Sequence, residues 1–210
     1  MTGSVGSVDK GDSRTLILHA ARSLVLQKRG DPFTGDEVAS LAGVSRRTVF
    51  NHFDSMDDIL VSSCLAEIQH AVDQVTPPEM SIDPSVTDAA DVFHRFVELL
   101  ARADLAAVSG YIRLAVGDAA VMTPRQAQRL AAAFSRIEAD LAEVMTKRYP
   151  SAPALDVRLA VMSVIHSLEL VAAQWQPADP LELSSEDLRR WNALFEYVTN
   201  RIAMGYPLRE

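Results

Sequence analysis

The sequence predicts an all-α protein of about nine helices, and three observations carry that expectation. All ten prolines fall at joints between long proline-free stretches (33–76, 85–123, 125–149, 154–176 and 181–206), as they must if those stretches are helical. The stretches are rich in Ala, Leu, Arg and Glu, which favour helix. Their apolar residues recur at threes and fours: Leu130, Phe134, Ile137, Leu141 and Val144 in one, Leu188, Trp191, Phe195, Val198 and Ile202 in another. No stretch alternates with the period of two that marks a strand.

Element by element, the ends are written explicitly. A first helix over Ser13–Arg29 carries Ile17, Ala20, Ala21 and Leu24 on one face and stops at Gly30. Thr34 and Glu37 are spaced as a capping box, with Phe33 and Val38 as its hydrophobic staple, and Gly43 suits a left-handed end to the helix that follows. Ser45 restarts a helix at once, with Val44 and Val49 as a second staple. Two stapled helices separated by so short a gap make a helix-turn-helix. A fourth helix spans Asp57–Val75, and central helices occupy residues 86–148. There Thr123-Pro124 with Gln126 gives an N-cap, an N1 proline and a capping box. Asp156–Trp175 and Ser184–Met204 complete the chain, the last capped by Ser184 with Asp187 and closed by Gly205.

With 210 residues and 48% hydrophobic composition, the chain buries a sizeable core without staples. Its single cysteine, Cys64, excludes an internal disulfide framework and a multi-cysteine metal site. No apolar run approaches the length of a membrane span, and Met1–Asp12 lacks the apolar centre of a signal peptide, so a cytoplasmic protein is expected. The net charge of −8 is unevenly spread. Lys10–Ser63 holds seven basic and seven acidic residues, whereas Cys64–Glu210 holds 13 basic and 20 acidic. The first quarter therefore tolerates a polyanionic partner better than the remainder.

The Arg46–His52 helix points Val49 and Phe53 inward. Arg47, Thr48 and Asn51 face outward, flanked by Arg46 and Phe50. Guanidinium forks suit guanine or phosphate, an amide suits adenine, and a hydroxyl suits phosphate. The candidate DNA-binding residues are Thr34, Ser45, Arg46, Arg47, Thr48, Phe50, Asn51 and His52. Ser45, Arg46, Arg47 and Asn51 would lie nearest base edges, with Thr34, Thr48 and His52 nearer phosphate. A solvated helix with two ordinary surface arginines is the alternative on spacing alone.

Residues 14–60 resemble the DNA-binding domain of TetR-type transcriptional regulators. The resemblance runs without gaps through Ile17, Ala20-Ala21, Leu24, Gly30, Thr34, Val38-Ala39, Ala42-Gly43-Val44-Ser45, Thr48-Val49-Phe50, His52-Phe53 and Leu60. It implies a homodimeric repressor on double-stranded DNA carrying a palindromic operator. The implied organisation is a flexible arm over 1–12, a DNA-binding domain over 13–56 and a helical ligand-binding and dimerisation domain over 57–210. Phe50 and Met56 depart from the resemblance, which has Tyr and Lys there as phosphate contacts, and Asp54, Asp57 and Asp58 lie close by. A shallow salt dependence is therefore expected: log K against log[salt] should have a slope no steeper than about −8.

The last two helices carry more apolar residues than one face needs, which marks them for dimerisation. Phe93, Phe96, Tyr111, Arg113, Met122, Phe134, Met162 and His166 are the candidate lining of an effector pocket between the central helices and the Asp156–Trp175 helix. Residues 86–175 resemble the branch of the family with an acyl-CoA-like ligand domain. That makes a small hydrophobic or acyl-CoA effector the expectation, with Arg113, Arg125 and Arg129 available to an anionic head group. No catalytic motif is present, so neither an enzyme nor a cofactor is expected. A metal-responsive regulator, with His94–Glu98 and His166–Glu169 as ligand pairs, and a redox sensor built on Cys64 are the rival readings.

Overall fold

The computed structural model describes residues 10–77, 81–117 and 123–205. Among these, nine helices and no strand occur: α1 (Lys10–Gln27), α2 (Gly35–Ala42), α3 (Arg46–His52), α4 (Met56–Val75), α5 (Ala89–Leu100), α6 (Leu105–Val116), α7 (Pro124–Arg148), α8 (Ala154–Gln174) and α9 (Ser185–Ala203). α1 opens at Lys10, inside the segment expected to be an arm; the rest of that arm lies outside the described residues.

The caps set the helix boundaries. Thr34 accepts from the Glu37 N–H while the Glu37 carboxylate accepts from the Thr34 N–H at 2.8 Å. Gly43 takes φ of 67°, and the Val44 N–H then closes back on the Ala39 carbonyl at 3.0 Å. Ser45, Ser55, Asp88, Asp104, Thr123 and Ser184 each cap the helix that follows by accepting an N–H from the first turn. α9 ends as the Gly205 N–H donates to the Ile202 carbonyl at 2.9 Å.

Burial of the apolar stripes then stacks the helices. α1, α2, α3 and the start of α4 close around Ile17, Ala21, Val38, Val49, Phe53 and Ile59, all buried, with the staple partners Phe33 and Val44 packed against them. Beyond this cluster α1, α4, α6 and α7 meet at Val25, Val61, Cys64, Tyr111, Val116 and Leu130. The largest cluster joins α5 to α7 and α8. A fourth lies between α6, α8 and α9, where Trp175 and Trp191 stand edge to face at 5.0 Å. Along α7 the inward residues are Leu130, Ile137, Leu141 and Met145, and Val144, expected on that stripe, is exposed. α4 crosses three of these clusters, contributing Ile59 to the first, Val61 and Cys64 to the second and Val75 to the third.

Lys28, at the end of α1, ties α2 in place. Its ammonium donates to Glu37 at 2.6 Å, and this bond, with the N-cap bonds from Thr34, holds the Glu37 carboxyl at about 2, against an ordinary 4.5. A depressed carboxyl stabilises the fold fully above its unfolded pKa, and that contribution is lost as pH falls from about 4.5 towards 2. Between pH 6 and pH 3 the wild-type urea midpoint should therefore fall further than that of Glu37→Gln. Equal falls in both proteins would show that Glu37 takes no part in acid unfolding.

Candidate nucleic-acid interface and ligand cavity

Two buried residues, Val49 within α3 and Phe53 just beyond it, fix which face of that helix looks outward. Arg47 and Asn51 lie on the outward face, exposed, and among the described residues neither side chain has a hydrogen bond or an ion pair. Arg46 is also exposed, but its guanidinium pairs with Asp36 and lies over the Phe50 ring at 5.4 Å. The Ser45 and Thr48 hydroxyls are 2.8 Å apart, and Ser45 caps the helix. Thr34 is exposed at the start of α2, and His52 is half-buried in the last turn of α3.

Phe50 has a packing role. A Cβ on buried Gly35 would meet the Phe50 ring at 2.7 Å and the Met56 sulfur at 3.8 Å. The two apolar departures noted in the sequence thus converge on the first residue of α2 and seat α3 and α4 against it.

The acidic cluster beside this face is held from α7. Arg129 of α7 pairs with Asp58 and lies 3.1 Å from Asp54, and Arg125 lies 3.7 Å from Asp54. The Gln126 amide donates to Asp57 at 3.1 Å. Asp58 also accepts the Asp54 N–H at 3.0 Å, and Asp57 and Asp58 occupy the first turn of α4, where negative charge is favoured. Arg125 and Arg129 are therefore committed to α4 and its approach, not to a ligand head group.

A cavity of about 110 Å³ lies between α4, α6, α7, α8 and the Trp191 side chain of α9. Its walls are almost wholly apolar. Of the seven sequence candidates among the described residues, Phe134 alone lines it. Phe93 and Phe96 are fully buried in the α5 core, because α5 turns that stripe onto α8. Tyr111 is buried and exchanges a hydrogen bond with Ser63 at 2.5 Å. Arg113 donates to the Ala172 and Trp175 carbonyls at 3.1 and 2.7 Å, capping the end of α8. Met162 and His166 lie on the outer face of α8, the His166 Nδ1 being 2.8 Å from the Met162 carbonyl. Met122 lies outside the described residues. Ile112, Ile165, Leu168 and Trp191, which do line the cavity, sit on helices apolar on more than one side, so spacing could not tell wall from core.

The outer face of α8 carries Leu155, Leu159, Met162 and Leu170 in a continuous exposed stripe with His166 between them, and α9 adds exposed Leu188 and Tyr197. Cys64 is fully buried, and desolvation pushes its thiol up to about 12, far from a reactive thiolate. Among the described residues no three His, Cys, Asp or Glu side chains converge as a metal site, and no helix is long and apolar enough to cross a membrane.

Residues 17–62 match the family model of bacterial regulatory proteins of the tetR family. No curated protein matches the sequence. The fold is similar to that of the fatty acid degradation regulator FadR from Bacillus halodurans (TM-score 0.52, 16% identity, 96% of this chain and 97% of that chain covered). It is also similar to that of a transcriptional regulator from Rhodococcus sp. Rha1 (TM-score 0.51, 16% identity, 97% and 100% covered). A putative transcriptional regulator from Pseudomonas aeruginosa PAO1 gives a TM-score of 0.50 at 14% identity, with 96% and 97% covered. At these identities the likeness is one of fold.

Proposed function

We propose that this chain, whose N-terminal segment matches the tetR family of regulators, is a homodimeric transcriptional repressor. On this reading it works by binding, in the cytoplasm, and a small hydrophobic effector releases it from a palindromic operator. Residues 13–56 act as the DNA-binding domain and residues 57–210 as the effector and dimerisation domain. The observation that carries the reading is the double use of α7. One end clamps Asp54 and Asp58 beside the DNA-binding face, and Phe134, Ile137 and Leu141 on the same helix wall the cavity.

The recognition helix α3 enters the major groove. Arg47 and Asn51 are ready to meet base edges, and Arg46 is exchanged from Asp36 onto DNA. Ser45 lies beside the base edges with them, and Thr34, Thr48 and His52 serve the register along the backbone, while Phe50 holds α3 on α2. Dimerisation through the exposed stripes of α8 and α9 sets two such helices one turn of DNA apart, about 34–36 Å. An effector filling the cavity displaces α7 and with it the clamp on α4, favouring a dimer whose spacing no longer fits. Its differential affinity for the two states limits the response; tenfold release needs about 1.4 kcal/mol.

The test is anisotropy of labelled DNA from around the chain's own gene, titrated with protein and then with candidate effectors, long-chain acyl-CoA among them. Tight, sequence-selective binding lost on addition of an apolar effector supports the repressor. Binding no tighter than to random DNA overturns the assignment. Sedimentation of Leu159→Glu, which should be monomeric and lose operator affinity, tests the dimer face independently.

A further inference from the structure

The cavity's few polar features have a sign. Its lining includes one charged residue, Glu169, and one hydroxyl, Ser109; among the described residues no Lys, Arg or His borders it. The three arginines that would otherwise serve an anion are spent: Arg113 on the carbonyls at the end of α8, Arg125 and Arg129 on the acidic cluster at α4. Glu169 is exposed, so it sits where the cavity meets solvent. The aromatic side chains of Trp191 and Phe134 in the wall suit an organic cation as well as an apolar body. The volume of about 110 Å³ is also restrictive.

Resting on the regulator reading above, we infer that the effector is a small organic cation with a compact apolar body, an arylalkyl- or short alkylammonium, its ammonium at Glu169 and its body against Trp191 and Phe134. An anionic acyl group would meet the Glu169 carboxylate with no counter-charge in the lining.

The experiment is calorimetric titration of the full-length protein with 2-phenylethylammonium, 3-phenylpropionate and ethylbenzene, in wild-type and Glu169→Gln, with operator release followed in parallel by anisotropy. The ammonium should bind more tightly than ethylbenzene and the carboxylate least. Glu169→Gln should weaken the ammonium about three- to fivefold, as expected for an exposed charge pair, and leave ethylbenzene unchanged. The inference is overturned if the carboxylate binds as well as the ammonium, or if the ammonium keeps its advantage in Glu169→Gln. Release by ethylbenzene alone, or only by long-chain acyl-CoA, would defeat the cation and leave the repressor standing. Selective DNA binding that no apolar compound relieves would defeat the cation and the effector-release reading, and leave the DNA-binding assignment standing.

Discussion

Gly110→Ala should destabilise the protein by about 1–3 kcal/mol, lowering the melting temperature by roughly 3–10 °C. The sign is the point of the test, because alanine for glycine inside a helix ordinarily stabilises by close to 1 kcal/mol. Here a Cβ would lie 2.3 Å from the Pro180 carbonyl oxygen and 3.3 Å from its carbon. The Pro180 atoms are backbone and the Cβ position is fixed by the α6 backbone, so no rotamer change relieves the contact. Neighbouring α6 residues are tied by Tyr111 to Ser63 and by Arg113 to the end of α8, which leaves the helix little freedom to retreat. Either α6 shifts, carrying cavity-wall residues Ser109 and Ile112 with it, or the α8–α9 connection is pushed outward. Thermal and urea melts of the variant decide this, and a gain in stability would refute the close approach.

Arg47→Ala and Asn51→Ala should each weaken operator binding by about 1–3 kcal/mol and relax sequence preference at one base position. Both side chains are exposed and unengaged by any described residue, so no contact among these is surrendered when they turn to DNA. Arg46→Ala should cost less, because wild-type Arg46 first leaves Asp36 and the Phe50 ring. Anisotropy with the operator and single-base variants separates the roles. A loss equal on every sequence would mean that Arg47 and Asn51 hold phosphate rather than read bases.

The helix-turn-helix was legible because its signals are local. Thr34 with Glu37, Gly43 and Ser45 each act within four residues of themselves, and each does in the structure what its spacing announces. Thr123 with Gln126 and Ser184 with Asp187 succeed for the same reason. What spacing could not supply were partners distant in sequence. Nothing near Arg129 in the chain announces Asp54 and Asp58, some 70 residues earlier, and nothing near Arg113 announces the carbonyls of Ala172 and Trp175. The cavity was misread on similar grounds. Phe93 and Phe96 have the size and polarity of pocket residues, but which apolar residues face a void depends on how helices meet rather than on any one helix. The α1 start at Lys10 was missed because MTGSVGSVDKGD is rich in glycine and serine and carries no apolar period.

The arrangement of α7 can also be read as a mechanical advantage. Ile137 at the cavity wall and Arg129 at the clamp are eight positions apart, about 12 Å of helix. A tilt of about 10° pivoting at Ile137 carries Arg129 through roughly 2 Å over that arm. That is enough to break a contact of 3.1 Å to Asp54, whereas an insertion of a ligand at the wall need displace its immediate neighbours by far less.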